Sequence, residues 1–169
     1  MITRLVELWA NHPAAGWLVL LACVCLLVSA VRLSMVDIRT HRLPDRIIFP
    51  SFAAALVLLL AGSLVAEDPR SALRTVLGSM VLGGFYLLLR LIYPAGMGRG
   101  DVKLAALLGL YLGYLGWPQV LFGIMAGFVL GGLFGLGLIV THRGSGKTQI
   151  PFGPFMLAGA IAVMLAAGG

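Results

Sequence analysis

Residues 17–36 read WLVLLACVCLLVSAVRLSMV. This run of twenty residues has one charge, Arg32, and as an α-helix it extends about 30 Å, the thickness of a bilayer's hydrocarbon core. Comparable runs follow at Ile47–Ala66, Ser71–Tyr93, Val102–Leu115, Gln119–Val140 and Ile150–Ala167, separated by loops that Pro44, Pro69, Pro94, Pro118 and Pro151 punctuate. The composition agrees. The 169 residues are 60% hydrophobic and only 11% charged, with a mean hydropathy of +1.04, where a soluble domain carries about 25% charged residues. A disordered chain, a disulfide-stapled secreted module and an ordinary cytosolic enzyme are thereby excluded. The expected fold is an all-α membrane protein, a polytopic bundle of about six transmembrane helices, with residues 1–169 as a single membrane domain.

The net charge of +6 is then an orientation signal rather than a sign of nucleic-acid binding. If the first, third and fifth loops face the cytoplasm, that side holds Arg32, Arg39, Arg42, Arg46, Arg90, Arg99, Lys103, Arg143 and Lys147. The other holds Arg4, Arg70 and Arg74. Both termini are accordingly expected outside the cytoplasm. The segment before Trp17 lacks a small-residue cleavage site after the first apolar run, so that run is expected to remain as an anchor. Cys23 and Cys25 point about 200° apart on a helix and cannot form a normal disulfide within it.

Two spans stand out. Val102–Leu115 is too short to cross alone unless the preceding glycine loop dips into the membrane, where its backbone needs protein or water around it. Gly123, Gly127, Gly131 and Gly135 recur every four residues, the pattern of close helix packing.

Six acids are present. Glu7, Glu67 and Asp68 fall in outward segments and read as solvated surface, whereas Asp37, Asp45 and Asp101 fall at the cytoplasmic ends of spans. A carboxylate at the membrane boundary is costly to keep charged and is a functional candidate by default. For either Asp37 or Asp101 alone, a structural ion pair with Arg39, Arg42, Arg99 or Lys103 would explain it. Two carboxylates brought to one place can instead divide labour: one ionised and activating water, the other protonated and donating to a peptide carbonyl. Gly96, Gly98 and Gly100 precede Asp101 and offer a backbone that bends tightly and admits an extended substrate.

At these residues the sequence resembles the type IV prepilin peptidases, membrane aspartic proteases of the GxGD type. The resemblance rests on Asp37 with Pro44 and Asp45 (DIRTHRLPD), on Gly98-Arg99-Gly100-Asp101 followed by Val102-Lys103-Leu104, and on Ile150-Pro151-Phe152-Gly153-Pro154-Phe155 opening the last span. It implies cleavage of a short basic leader from prepilin or pseudopilin precursors at the cytoplasmic face of a prokaryotic plasma membrane, with Asp37 and Asp101 as the catalytic pair. Gly98, Gly100, Lys103, Pro44 and Asp45 are expected to support the site or bind substrate. Asp45 beside Pro44 also reads as a helix cap, and Lys103 either tunes Asp101 or meets phospholipid headgroups. Pro151 and Pro154 fit the first turn of the last helix. Longer members of the family add a cytoplasmic domain with paired Cys-x-x-Cys motifs. With only Cys23 and Cys25 here, the expectation is a peptidase with no metal, no cofactor and no efficient methyl transfer.

Other motifs carry less. Gly144-Ser145-Gly146-Lys147-Thr148 lacks the earlier glycine and the strand of a phosphate-binding loop. Arg99-Gly100-Asp101 spells an adhesion tripeptide on the wrong side of the membrane. His12, His41 and His142 lack metal-ligand spacing. The rival to a protease is a small proton-coupled transporter or channel with Asp37 and Asp101 as an ion relay. Such a protein more often has mid-span acids and repeated halves with interrupted helices.

Overall fold

A computed structural model describes residues 1–94, 97–141 and 151–167. Gly96, Ile150 and the loop with His142, Arg143 and Gly144–Thr148 lie outside the described residues. Among these residues the chain forms seven helices and no strand: α1 (Ile2–Asn11), α2 (Pro13–Thr40), α3 (Asp45–Val65), α4 (Pro69–Ile92), α5 (Arg99–Leu115), α6 (Trp117–Val140) and α7 (Gly153–Ala166). Four stretches, Pro13–Thr40, Asp45–Val65, Pro69–Ile92 and Trp117–Gly137, are long and apolar enough to cross a membrane. α7 is a shorter apolar helix.

The register of α2 is set by its buried residues Ala15, Val19, Ala22, Leu26, Ala30, Leu33 and Asp37, spaced three and four apart as one face of a helix requires. Asp37 is the last member of that stripe, an acid where the pattern calls for an apolar side chain. It lies twenty residues, or about 30 Å, along the helix from Trp17. Trp9 and Trp17 meet edge to face, with centroids 6.0 Å apart, as a belt residue pair does at a membrane surface.

α5 occupies the centre. Nearly every residue from Leu104 to Tyr114 is buried, so it is apolar all round, as a helix surrounded by protein must be. Glycines allow α4 to lie directly on it. A Cβ at Gly78 would sit 2.7 Å from both the Gly109 carbonyl and the Gly113 Cα. Ser79 donates to the Ala106 carbonyl at 2.8 Å, and the Tyr111 hydroxyl donates to the Ala22 carbonyl of α2 at 2.8 Å, tying together the helices that carry Asp37 and Asp101. In α6 the glycine stripe faces the protein: Gly123 meets Leu112, Gly127 meets Met156 and Gly131 meets Phe152.

α1 is not among the spans expected from the sequence. It is short and amphipathic, burying Leu5 and Leu8, and it is latched by an ion pair from Arg4 to Asp68. Asp68 is therefore more than solvated surface. Its carboxylate caps α4, accepting from the Ser71 amide at 3.1 Å and the Ser71 hydroxyl at 2.6 Å. Burial pushes this carboxyl up, but the Ser71 donors and Arg4 outweigh it and hold it below the usual aspartate range. A lowered folded value means that the stabilisation is complete above about pH 4, the unfolded aspartate value, and fades as pH falls through the folded one. Asp68→Ala should cost about 1–2 kcal/mol through the lost cap and pair, read as a lower melting temperature in detergent. The deficit should shrink when both proteins are acidified, and an unchanged melting temperature at neutral pH would refute the latch.

Candidate active site

The C-terminal ends of α2 and α4 and the N-terminal ends of α3, α5 and α7 gather at one end of the bundle. Asp37, 4% exposed, comes from the last turns of α2 and accepts a hydrogen bond from the Gly153 amide at 3.1 Å. That amide is the first of α7, so the positive end of a helix dipole faces the carboxylate. Asp101 is the third residue of α5 and accepts from the Gly98 amide at 3.1 Å, the arrangement of an acid that closes a helix start on itself. Leu43 lies against both Gly100, the residue before Asp101, and Gly153, which bonds Asp37, so separate helices bring the two aspartates to one region. Among the described residues neither joins an ion pair.

Gly98 and Gly100 serve space rather than backbone freedom. Neither has a positive φ, and Gly100 is already helical. A Cβ at Gly98 would lie 2.8 Å from the Asp101 Oδ2, and one at Gly100 would lie 2.6 Å from the Leu43 Cβ. The expected membrane-dipping loop is shortened accordingly, since α5 begins at Arg99.

Lys103 is turned to Asp45, at 2.6 Å, rather than to Asp101, and its ammonium lies 5.0 Å from the centre of the Phe49 ring. Asp45 opens α3 after Pro44, which holds the N-cap position, and makes no capping hydrogen bond. The pair is solvent-exposed, with side-chain exposures of 36% and 54%. These residues therefore border the aspartates without touching them. Pro154 lies in the first turn of α7, as its sequence position anticipates.

Four residues to which the sequence assigns no role in the site complete it. The Leu43 side chain reaches both Gly100 and Gly153, filling the space between the two glycine motifs. The Arg90 guanidinium, from the last turn of α4, donates to the Met97 carbonyl at 3.0 Å and fastens the segment before Asp101. Tyr86, on α4, is 1% exposed. Its ring stacks on Phe128 at 5.6 Å and approaches Phe152 at 6.4 Å, making an aromatic floor. Phe152 is the fourth. Leu43 and Arg90 sit in quoted or counted segments, but only the folded contacts assign them a place.

A sequence profile described as the type IV leader peptidase family matches residues 19–136, a stretch that includes both aspartates. The chain belongs to this family. Similar curated proteins are named prepilin leader peptidase/N-methyltransferase. One from Aeromonas salmonicida strain A449 is 34% identical over 151 residues, covering 88% of this chain and 50% of the relative. One from Pseudomonas putida is 35% identical over 165 residues, covering 96% and 55%, and one from Burkholderia pseudomallei strain 1026b is 33% identical over 171 residues, covering 95% and 53%. The chain spans about half the length of the curated relatives it matches. No solved structure matches it. Within the type IV leader peptidase family, residues 137–169 lie beyond the profile match. Gly153, which holds Asp37, comes from that part.

Proposed function

We propose that the chain is a membrane aspartic endopeptidase that removes a short basic leader from prepilin-like precursors at the cytoplasmic face of a prokaryotic inner membrane. What supports the reading is that α2 and α5 bring Asp37 and Asp101 to the same end of the bundle, on either side of Leu43, each steadied by a glycine amide instead of a cation. One ionised carboxylate takes a proton from a water molecule as its oxygen attacks the scissile carbonyl. The other gives its proton to the carbonyl oxygen to form a tetrahedral diol; the first carboxyl then passes the proton it took from water to the amide nitrogen while a diol hydroxyl returns a proton to the second carboxylate, and the C–N bond breaks. Like charges facing one region favour this shared-proton state over two free carboxylates. No metal or cofactor enters these steps, and Gly98, Gly100 and Leu43 shape the space beside them.

Purified protein in detergent, given a precursor with its basic leader, should release that leader. In the presence of S-adenosylmethionine the mature product should keep a free amine by mass spectrometry. An intact precursor after prolonged incubation would overturn the peptidase reading. A product one methyl group heavier, formed as fast as cleavage, would overturn only the expectation of inefficient methyl transfer.

The orientation is tested separately. In a background without Cys23 and Cys25, a cysteine replacing Arg42 or Arg99 should resist a membrane-impermeant thiol reagent in intact cells, because the positive-inside rule places those loops in the cytoplasm. A cysteine at Arg70 should react. Labelling at position 99 would put Asp101 on the outer side and remove leader cleavage at the cytoplasmic face.

A further inference from the structure

On the outer surface of the bundle, next to the helix end that carries Asp37 but on the other side of α2, lies a groove of about 430 Å³ lined by Arg32, Met35, Val36, Arg39 and Ile47. The first four are spaced i, i+3, i+4 and i+7, so they form one face of α2, and Ile47 adds a wall from α3. Met35 is exposed and Val36 and Ile47 are half-buried, which makes the floor apolar. Arg32 and Arg39 are both exposed. Among the described residues neither guanidinium has an ion-pair partner. The acid nearest in sequence, Asp37, belongs to the buried face and is held by Gly153.

The two arginines differ in depth. Seven helical residues separate them by about 10.5 Å, so with Arg39 at the end of α2, Arg32 lies well inside a membrane-spanning helix. A guanidinium at that depth is costly without an anion to meet it or a route to the surface. Arginine suits phosphate oxygens through its planar fork of donors. We propose that this groove is a binding site for one anionic glycerophospholipid, its phosphate held between Arg32 and Arg39 and an acyl chain lying on Met35, Val36 and Ile47. The charge selects an anionic headgroup, and the apolar floor selects a lipid over free phosphate. The site stands independently of any peptidase activity.

The test uses the full chain purified in a neutral detergent, with native mass spectrometry counting retained lipid after exposure to phosphatidylglycerol or phosphatidylcholine of identical acyl chains. The wild type should retain one phosphatidylglycerol in preference to phosphatidylcholine. The paired substitution Arg32→Gln with Arg39→Gln should reduce that preference by about tenfold or more, and Arg70→Gln, at the other end of the bundle, should leave it intact. Should the paired variant fail to fold, Met35→Trp keeps both arginines, fills the apolar floor and should likewise reduce retention. Equal retention of the two lipids by the wild type overturns the proposal, as does a preference untouched by both the arginine pair and Met35→Trp. A photoreactive residue at position 35 that captures mainly a precursor protein in proteoliposomes would assign the groove to a polypeptide and overturn it too.

Discussion

Asp37→Asn and Asp101→Asn should each abolish leader removal in a protein that inserts and folds as the wild type does. Asparagine matches aspartate in shape, and its carbonyl oxygen can still accept the hydrogen bonds that Gly153 and Gly98 donate. The ability to take up or give a proton disappears. Each loss should lower the cleavage rate by about 10²–10⁴-fold, measured as leader released per unit time at equal enzyme concentration. Combining the two should cost little more than either alone, because in the proposed mechanism the carboxylates act as one unit. Asp45→Asn removes only an exposed pair with Lys103, an interaction of about 0–1 kcal/mol, and should leave most of the activity. Wild-type cleavage by a well-folded Asp101→Asn protein would end the mechanism proposed above.

Gly153→Ala should be nearly as damaging, although it touches no acid chemically. A Cβ there would lie 2.8 Å from the Asp37 Oδ2 and 3.4 Å from both its Cγ and the Leu43 Cδ2, so the carboxylate has to turn aside. Displacing a reacting group by about 1 Å can cost 10²-fold in rate, and a loss of that order is expected in turnover with melting temperature almost unchanged. Gly132→Ala is the control, since an added Cβ meets nothing within 4 Å. Equal rates for the Gly153 and Gly132 variants would show that the Asp37 position tolerates displacement and that the contact with α7 is not part of the chemistry.

The sequence disclosed α2 and its acid because both are local. An apolar stripe of helical period ends on Asp37, and a single chain segment carries the whole pattern. The same holds for α5, whose glycines precede Asp101 by one and three positions. Contacts across long separations left no such trace. Lys103 and Asp45 are 58 positions apart, Arg4 and Asp68 are 64 apart, and Gly153 and Asp37 are 116 apart. No periodicity or composition pairs these residues. Lys103 lies within a turn of Asp101 in sequence, which made a direct effect on it reasonable, but a helical side chain chooses among all neighbours in space. α1 is silent in the sequence for a different reason: ten residues with three charged or amide side chains are too short and too polar to read as a span, and its apolar contacts lie on other helices.

The enclosure of α5 bears on how the protein responds to its bilayer. Helices that touch acyl chains adapt to a thicker or thinner membrane by tilting or by deforming the lipid around them. α2, α3, α4 and α6 all present large apolar side chains outward and are subject to that adjustment. α5 has no such surface, and its seating on α4 is backbone against backbone through Gly78, Gly109 and Gly113. Hydrophobic mismatch therefore reaches Asp101 through the helices packed on α5, α4 above all, while Asp37 rides on a helix that the lipid can tilt directly. Membrane thickness becomes a variable acting on the separation of the two carboxylates directly through α2 and at second hand through α4, on which α5 is seated.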